Sequence, residues 1–202
     1  MPRPLCPQCA RPLSVCFCHT VQLIQNQWPV LILQHPGEAR RAIGTAKIAQ
    51  LSLTDCQTEI GEIPASDGVL LERIEQQQPY LVYPDENSLS LEDISNEPIR
   101  PLLFLDGTWR KTKRMLFESP ILAQLPKVGF SPQHISRYRI RKEPTDEAIS
   151  TIEAIAFVLQ TLEQAPDKYQ GLLTTMDWII DQQIKAMGQE LYERNYAPSP
   201  IN

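Results

Sequence analysis

Apolar residues in this chain fall in short unbroken runs, separated by polar turns and by stretches of helical period. Residues 28–34 (Trp-Pro-Val-Leu-Ile-Leu-Gln), 80–83 (Tyr-Leu-Val-Tyr) and 102–105 (Leu-Leu-Phe-Leu) read as strands buried on both faces. A shorter candidate at 55–60 is closed by Gly61. Between them, 38–53 carries a helical core face in Ala42, Ile43, Ala46, Ile48, Ala49 and Leu51. Residues 69–77 read as a second helix, and 90–94 as a single helical turn. A helix over 150–164 opens on a capping box, Ser150-Thr151-Ile152-Glu153, and a last helix over 167–194 repeats apolar residues from Leu172 to Leu191. Strands alternating with helices over this length predict an α/β fold with a mostly parallel sheet.

Two of the strands end abruptly in polar turns. The 102–105 run stops at Asp106-Gly107-Thr108-Trp109, followed by the cations Arg110, Lys111, Lys113 and Arg114. The 28–34 run stops at His35-Pro36-Gly37-Glu38. Ligands of open α/β sheets bind just past the carboxyl ends of the strands, so these turns are the first candidates for a site. An acid, a glycine, a hydroxyl and an indole at that spot are the tools for gripping a small molecule. The alternative is local: Asp106 and Thr108 cap the next helix, Trp109 fills the core, and the backbone of its own turn satisfies His35. Ser150, Thr151 and Glu153 carry the same duality of capping box and ligand contact.

Charge and cysteines add two features. The net charge is −5, yet ten Lys or Arg against two acids lie between Arg100 and Lys142. Within that window 135–142 alternates, putting Arg137, Arg139 and Arg141 on one side of an extended segment. A basic middle in an acidic chain points to a localised anionic partner, with RNA phosphates as the expectation. Cys6-x-x-Cys9 and Cys16-x-Cys18 place four thiols within thirteen residues, the spacing of a structural zinc site, with His19 as a less favoured fourth ligand. Such a site has no open position for catalysis. Cys56 reads as a core thiol.

No run of about 18 apolar residues occurs, and the first residues lack an apolar signal core, so a cytoplasmic protein with no membrane partner is expected. Dinucleotide, Walker, GxSxG and HExxH motifs are absent. The expected organisation is a zinc-binding lobe over 1–25, a catalytic domain over 26–165, and a C-terminal helix and tail over 166–202 packed on that domain.

Taken in order, Cys6-x-x-Cys9, Cys16-x-Cys18, His35-Pro36-x-Glu38, Tyr83-Pro84, Asp106-x-Thr108-Trp109, Ser119-Pro120, Tyr138-Arg-Ile-Arg-Lys142 and Ser150-Thr151-x-Glu153-Ala154 resemble the DTW-domain family. The resemblance implies a tRNA-uridine aminocarboxypropyltransferase that uses S-adenosylmethionine. It also implies a SPOUT-like fold with a C-terminal trefoil knot. Carried onto this chain, it makes Asp106 and Trp109 catalytic. His35, Pro36 and Glu38 after one strand, Leu105, Gly107 and Thr108 at the other, and Ser150, Thr151 and Glu153 would then bind the cofactor. Arg110, Lys111, Lys113, Arg114, Arg137, Arg139 and Arg141 would hold tRNA, and Cys6, Cys9, Cys16 and Cys18 the zinc. An RNA methyltransferase on the same scaffold and a non-catalytic zinc-dependent RNA-binding module are the alternatives.

Overall fold

The computed structural model describes residues 3–39, 44–65, 68–131, 136–140 and 149–196. The apolar runs form β1 (Val30–Gln34), β2 (Cys56–Ile60), β3 (Tyr80–Val82) and β4 (Leu102–Asp106), joined by a two-residue β5 (Lys127–Val128). They make one sheet in the order β2-β1-β4-β3-β5, parallel at every pairing. The α/β class with a parallel sheet is therefore observed.

Helices cover both faces, which is why β1 and β4 are continuously apolar. They are α1 (Pro36–Ala39), α2 (Thr45–Ser52), α3 (Val69–Gln77), α4 (Leu91–Ser95), α5 (Trp109–Glu118), α6 (Pro120–Ala123), α7 (Thr151–Leu162), α8 (Gln170–Met187) and α9 (Gln189–Tyr196). Val30, Ile32, Leu102 and Phe104 pack with buried residues of α2, α4, α7 and α8. Leu31, Leu33, Leu81 and Leu103 pack with Leu70 and Ile74 of α3, Met115 of α5 and Leu122 of α6. This alternation fixes the faces of the strand ends. Gln34 and Asp106 are register partners and continue the first set, so both side chains lie on the α2/α7/α8 side.

Chain direction diverges at the same place. From β1 the chain crosses to β2 at one edge, and from β4 it goes to β5 at the other. The carboxyl ends of β1 and β4 thus flank a topological switch point, where open sheets form a crevice.

Several elements depart from the sequence reading. The helix expected over 38–53 is two helices, because Gly44 is extended (φ −83°, ψ 96°) and starts α2 afresh; Arg40, Arg41, Ala42 and Ile43 lie outside the described residues. The helix expected over 167–194 breaks at Gly188, whose φ of 87° suits glycine and separates α8 from α9. Residues 136–140 are not a strand: the Arg139 amide donates to the Arg137 carbonyl at 2.9 Å, a tight turn, while Arg141 and Lys142 lie outside the described residues. The segment α6–β5 had no periodic signal, being only four and two residues long. Among the described residues no helix is long and apolar enough to cross a membrane.

The N-terminal segment joins the main core. Phe17 is fully buried, and Cys6 and Cys9 belong to the same apolar cluster as Val30 and Ile32. Two short 3₁₀ turns, Leu13–Val15 and Cys18–Thr20, shape the segment, and Thr175 of α8 donates to the Thr20 carbonyl at 3.0 Å. Asn26 then pins the entry to β1. Its amide donates to the Trp28 and Asp55 carbonyls at 2.8 and 2.9 Å and accepts from the Asp55 amide at 3.0 Å. Replacing Asn26 with Ala strands buried backbone groups, for a loss of about 1–3 kcal/mol. Denaturant unfolding of Asn26→Ala is expected to show a lower midpoint at an unchanged slope. A midpoint equal to that of the parent would remove Asn26 from the stabilising contacts.

Candidate functional site

Asp106 ends β4 at 7% exposure, beneath the first turn of α7. Thr151 donates to Oδ1 at 2.5 Å, and Gln34 donates to Oδ2 at 2.6 Å. The register of β1 on β4 supplies Gln34, and the Ser150 capping box supplies Thr151 by fixing where α7 begins. The start of that helix also favours an anion. Asp106 is thus not the cap of α5. Thr108 is the N-cap residue there, and its side chain makes no capping bond.

The two polar turns are fastened to each other. The His35 amide donates to the Asp106 carbonyl at 2.9 Å. Lys111 Nζ sits 2.7 Å from Glu38 Oε1, an ion pair with both side chains largely buried. Gly107 allows this closeness: a Cβ there would lie 3.3 Å from Lys111 Cβ and from Thr112 Cγ2. His35 Nδ1 accepts from the Gly37 amide at 2.9 Å, which leaves the proton on Nε2, facing Glu62 at 3.4 Å. The turn therefore satisfies His35, as the local reading had it.

Two cavities are lined by the residues that hold Asp106, which itself lines neither. The smaller, of about 120 Å³, lies past β3, β4 and β5 and is lined by Tyr83, Leu105, Gly107, Trp109, Phe130 and Thr151, among others. Trp109 does not fill the core. It is 52% exposed and meets Tyr83 edge-on at 5.7 Å between ring centres. The larger, of about 810 Å³, lies past β1 and β2 and includes Gln34 in its wall. His35, Pro36 and Glu38 line neither cavity.

Glu153 is a hub rather than an open carboxylate. Its oxygens accept from the Ser150 amide at 2.7 Å, the Ser150 hydroxyl at 2.6 Å, the Ser136 hydroxyl at 2.9 Å and the Arg137 amide at 2.6 Å. The capping box is real, and it also anchors the 136–137 segment.

Of the expected RNA-binding cations, Arg110 and Lys113 are exposed on α5. Arg114 is exposed but reaches Glu118 at 2.7 Å, and Lys111 is held by Glu38. Arg137 pairs with Asp177, and Arg139 with Asp181 at 2.6 Å, both on α8. Those two guanidinium groups face protein carboxylates. Arg141 lies outside the described residues.

Cys6, Cys9, Cys16 and Cys18 converge, all four sulfurs lying within 4.8 Å of one another. Cys6 to Cys18 is 3.6 Å and Cys9 to Cys16 is 3.8 Å. A tetrahedron with metal–sulfur bonds of about 2.3 Å has edges of about 3.8 Å. The four residues therefore fit, and could hold, a metal ion. Amides of Cys9 and Gln8 aimed at Cys6 draw its thiol down to about 6, while burial pushes the Cys18 thiol up to about 12. His19 is not part of the cluster; it lies edge-on to Trp178 at 4.7 Å. Cys56 stands apart, its thiol pushed up to about 12 by burial.

Gln34 was missed in the sequence. Its signal was positional: it ends one apolar run as Asp106 ends the other.

A family model for the DTW domain matches residues 3–184. The chain is 32% identical to tRNA-uridine aminocarboxypropyltransferase 2 of Drosophila melanogaster, over 97% of this chain and 84% of that protein. It is 27% identical to the mouse protein of the same name, over 96% and 68%. It is 26% identical to tRNA-uridine aminocarboxypropyltransferase A of Arabidopsis thaliana, over 86% and 78%. No solved structure matches significantly. With nine-tenths of its length matched, this chain belongs to the DTW-domain family.

Proposed function

We propose that the chain is a tRNA-uridine aminocarboxypropyltransferase, moving the 3-amino-3-carboxypropyl group of S-adenosylmethionine to N3 of a tRNA uridine and releasing methylthioadenosine. The observation that carries this reading is the placement of Asp106. One carboxylate is held on one oxygen by Gln34, which lines the larger cavity, and on the other by Thr151, which lines the smaller, an arrangement suited to a transfer between two substrates. The names of the relatives supply the chemistry. A SPOUT-like relationship, a knot, a cytoplasmic location and a division into lobes 1–25, 26–165 and 166–202 belong to the same proposal.

S-adenosylmethionine would supply an activated γ-carbon on its sulfonium sulfur. The smaller cavity, at about 120 Å³, would take in only part of that molecule: the rings of Trp109, Tyr83 and Phe130 offer π faces to a purine or a sulfonium cation, and Gly107 opens the backbone beside them. Leu105 and Thr108 complete that turn. Asp106 accepts or orients the N3 proton of the uridine, with Gln34 and Thr151 fixing its direction. Ser150 and Glu153 position Thr151 by fixing the helix start. His35, Pro36 and Glu38 hold the neighbouring turn in place through Lys111. Arg110, Lys113 and Arg114 on α5 are the cations best exposed to tRNA phosphates, and zinc is the ion suited to four thiolates.

Three outcomes test the reading. Incubating tRNA with S-adenosylmethionine labelled separately in the methyl group and in the amino acid arm is expected to place only the arm label in RNA. Methyl label there would assign methyl transfer instead, and tRNA binding with no label of either kind would leave a non-catalytic RNA-binding module. Asp106→Asn is expected to cut turnover by at least about 10² while tRNA binding stays within about twofold; a joint loss of both would make Asp106 structural. Cys9→Ser is expected to lose bound zinc and lower the melting temperature together, and a normal melting curve would count against a structural metal.

A further inference from the structure

The larger cavity is given no role by the reading above; of the family motifs only Cys9 lines it, whereas Tyr83, Pro84, Gly107, Trp109, Ser150, Thr151 and Ala154 line the smaller one. Its walls come from four places. The cysteine segment gives Arg11 and Pro12; the ends of β1 and β2 give Gln34 and Thr58; the start of α2 gives Lys47 and Gln50; and α8 gives Trp178, Gln182 and Gln183. Among the described residues no carboxylate lines it.

That chemistry is selective. Glutamine amides carry a donor and acceptors on one planar group, the complement of a pyrimidine edge with its alternating carbonyls and N–H. An indole offers a stacking face, worth about 1–3 kcal/mol per base. Lys47 and Arg11 supply positive charge where a phosphate would follow the base. At about 810 Å³ the cavity admits a whole nucleotide. The two cavities are linked through Asp106. Gln34 belongs to the larger, Thr151 to the smaller, and each donates to a different oxygen of Asp106.

Resting on the reading above, we propose that this groove receives the target uridine, extruded from the RNA and stacked on Trp178, with its edge read by the glutamines of α8. Gln34 is the positioning residue that joins the bound base to Asp106. A base inside a folded RNA must leave its stack to meet chemistry on its edge, so a nucleotide-sized receptor next to the carboxylate is what the reaction demands. The metal-binding segment becomes one wall of the RNA site: the Arg11 carbonyl accepts from the Cys6 amide at 2.7 Å, and the Arg11 guanidinium lies 5.1 Å over the Phe17 ring. The thiol cluster thereby fixes the cation that faces the groove.

Two experiments on the full chain test this. Unmodified transcribed tRNA carrying 4-thiouridine in place of uridine is cross-linked by light, and the attached peptide is mapped. The expected attachment is to the α8 peptide around Trp178 and Gln182 or to the 9–12 segment; attachment confined to α5 or to the 83–84 and 105–109 turns would overturn the proposal. Gln182→Leu and Lys47→Glu alter the groove without touching the core. Each is expected to raise KM for tRNA about tenfold while S-adenosylmethionine affinity, read by calorimetry, stays within twofold and melting is unchanged. An unaltered KM for tRNA, or a loss of cofactor affinity instead, would sink it. Failure here is separable from failure of the broader reading: parent protein that moves the amino acid arm but cross-links elsewhere keeps the activity and loses the groove.

Discussion

A carboxylate buried at the end of a central strand destabilises the fold unless its oxygens find donors, and the working end of this sheet is arranged around that requirement. Asp106 is met from two directions. Gln34 arrives because β1 pairs with β4 in a register that sets the two residues side by side. Thr151 arrives because Ser150 and Glu153 fix the first turn of α7. Neither donor is local in sequence: one is 72 residues away and the other 45. The strand order, the helix start and the polar site are one constraint, since a slip of the β1 register by a single residue would turn Gln34 to the opposite face.

The same economy explains the basic stretch. Cations clustered in the sequence look like an RNA-binding surface, but several are used to hold the protein. Lys111 ties the β1 turn to α5, and Arg137 and Arg139 tie the 136–140 segment to α8. Both arginines are exposed, so their two pairs act through geometry more than through large stabilisation. The cations left facing solvent begin at Arg110, one residue past the Trp109 that borders the small cavity. Charge is therefore placed where an extended anion would cross the crevice.

Much of this was legible in the chain, for physical reasons that also mark its limits. Continuous apolar runs gave β1, β3 and β4, since burial on both faces leaves no room for polar residues. The thiol spacing predicted a cluster whose sulfurs converge, because a chelating turn is a local feature. Capping at Ser150 was readable for the same reason. What escaped was non-local. Gln34 gains meaning only from its pairing with Asp106. Glu153, expected at a ligand, is occupied by Ser136 and Arg137 as well as by its own cap. The alternating arginines suggested a strand, but alternation is a pattern that a turn braced by α8 also tolerates. Gly44 and Gly188 broke helices whose periodicity ran on past them.

The N-terminal segment shows why a metal cluster belongs in such a fold. About twenty residues cannot bury a core of their own. Here they borrow one: Phe17 is wholly enclosed, Cys6 and Cys9 join the central cluster, and the turn at Cys18–Thr20 docks on α8. The outer loop, Cys9 to Pro12, is held by backbone hydrogen bonds, Cys6 donating to Arg11 at 2.7 Å and Ala10 to Cys6 at 2.9 Å. The four thiols on either side of that loop could close it further around a metal ion. The loop then becomes a wall as fixed as the α8 helix opposite, and a groove with two fixed walls can bind a nucleotide without first ordering its own surface. A site that joined two substrates at one carboxylate would draw on that rigidity on the side farther from the motif turns.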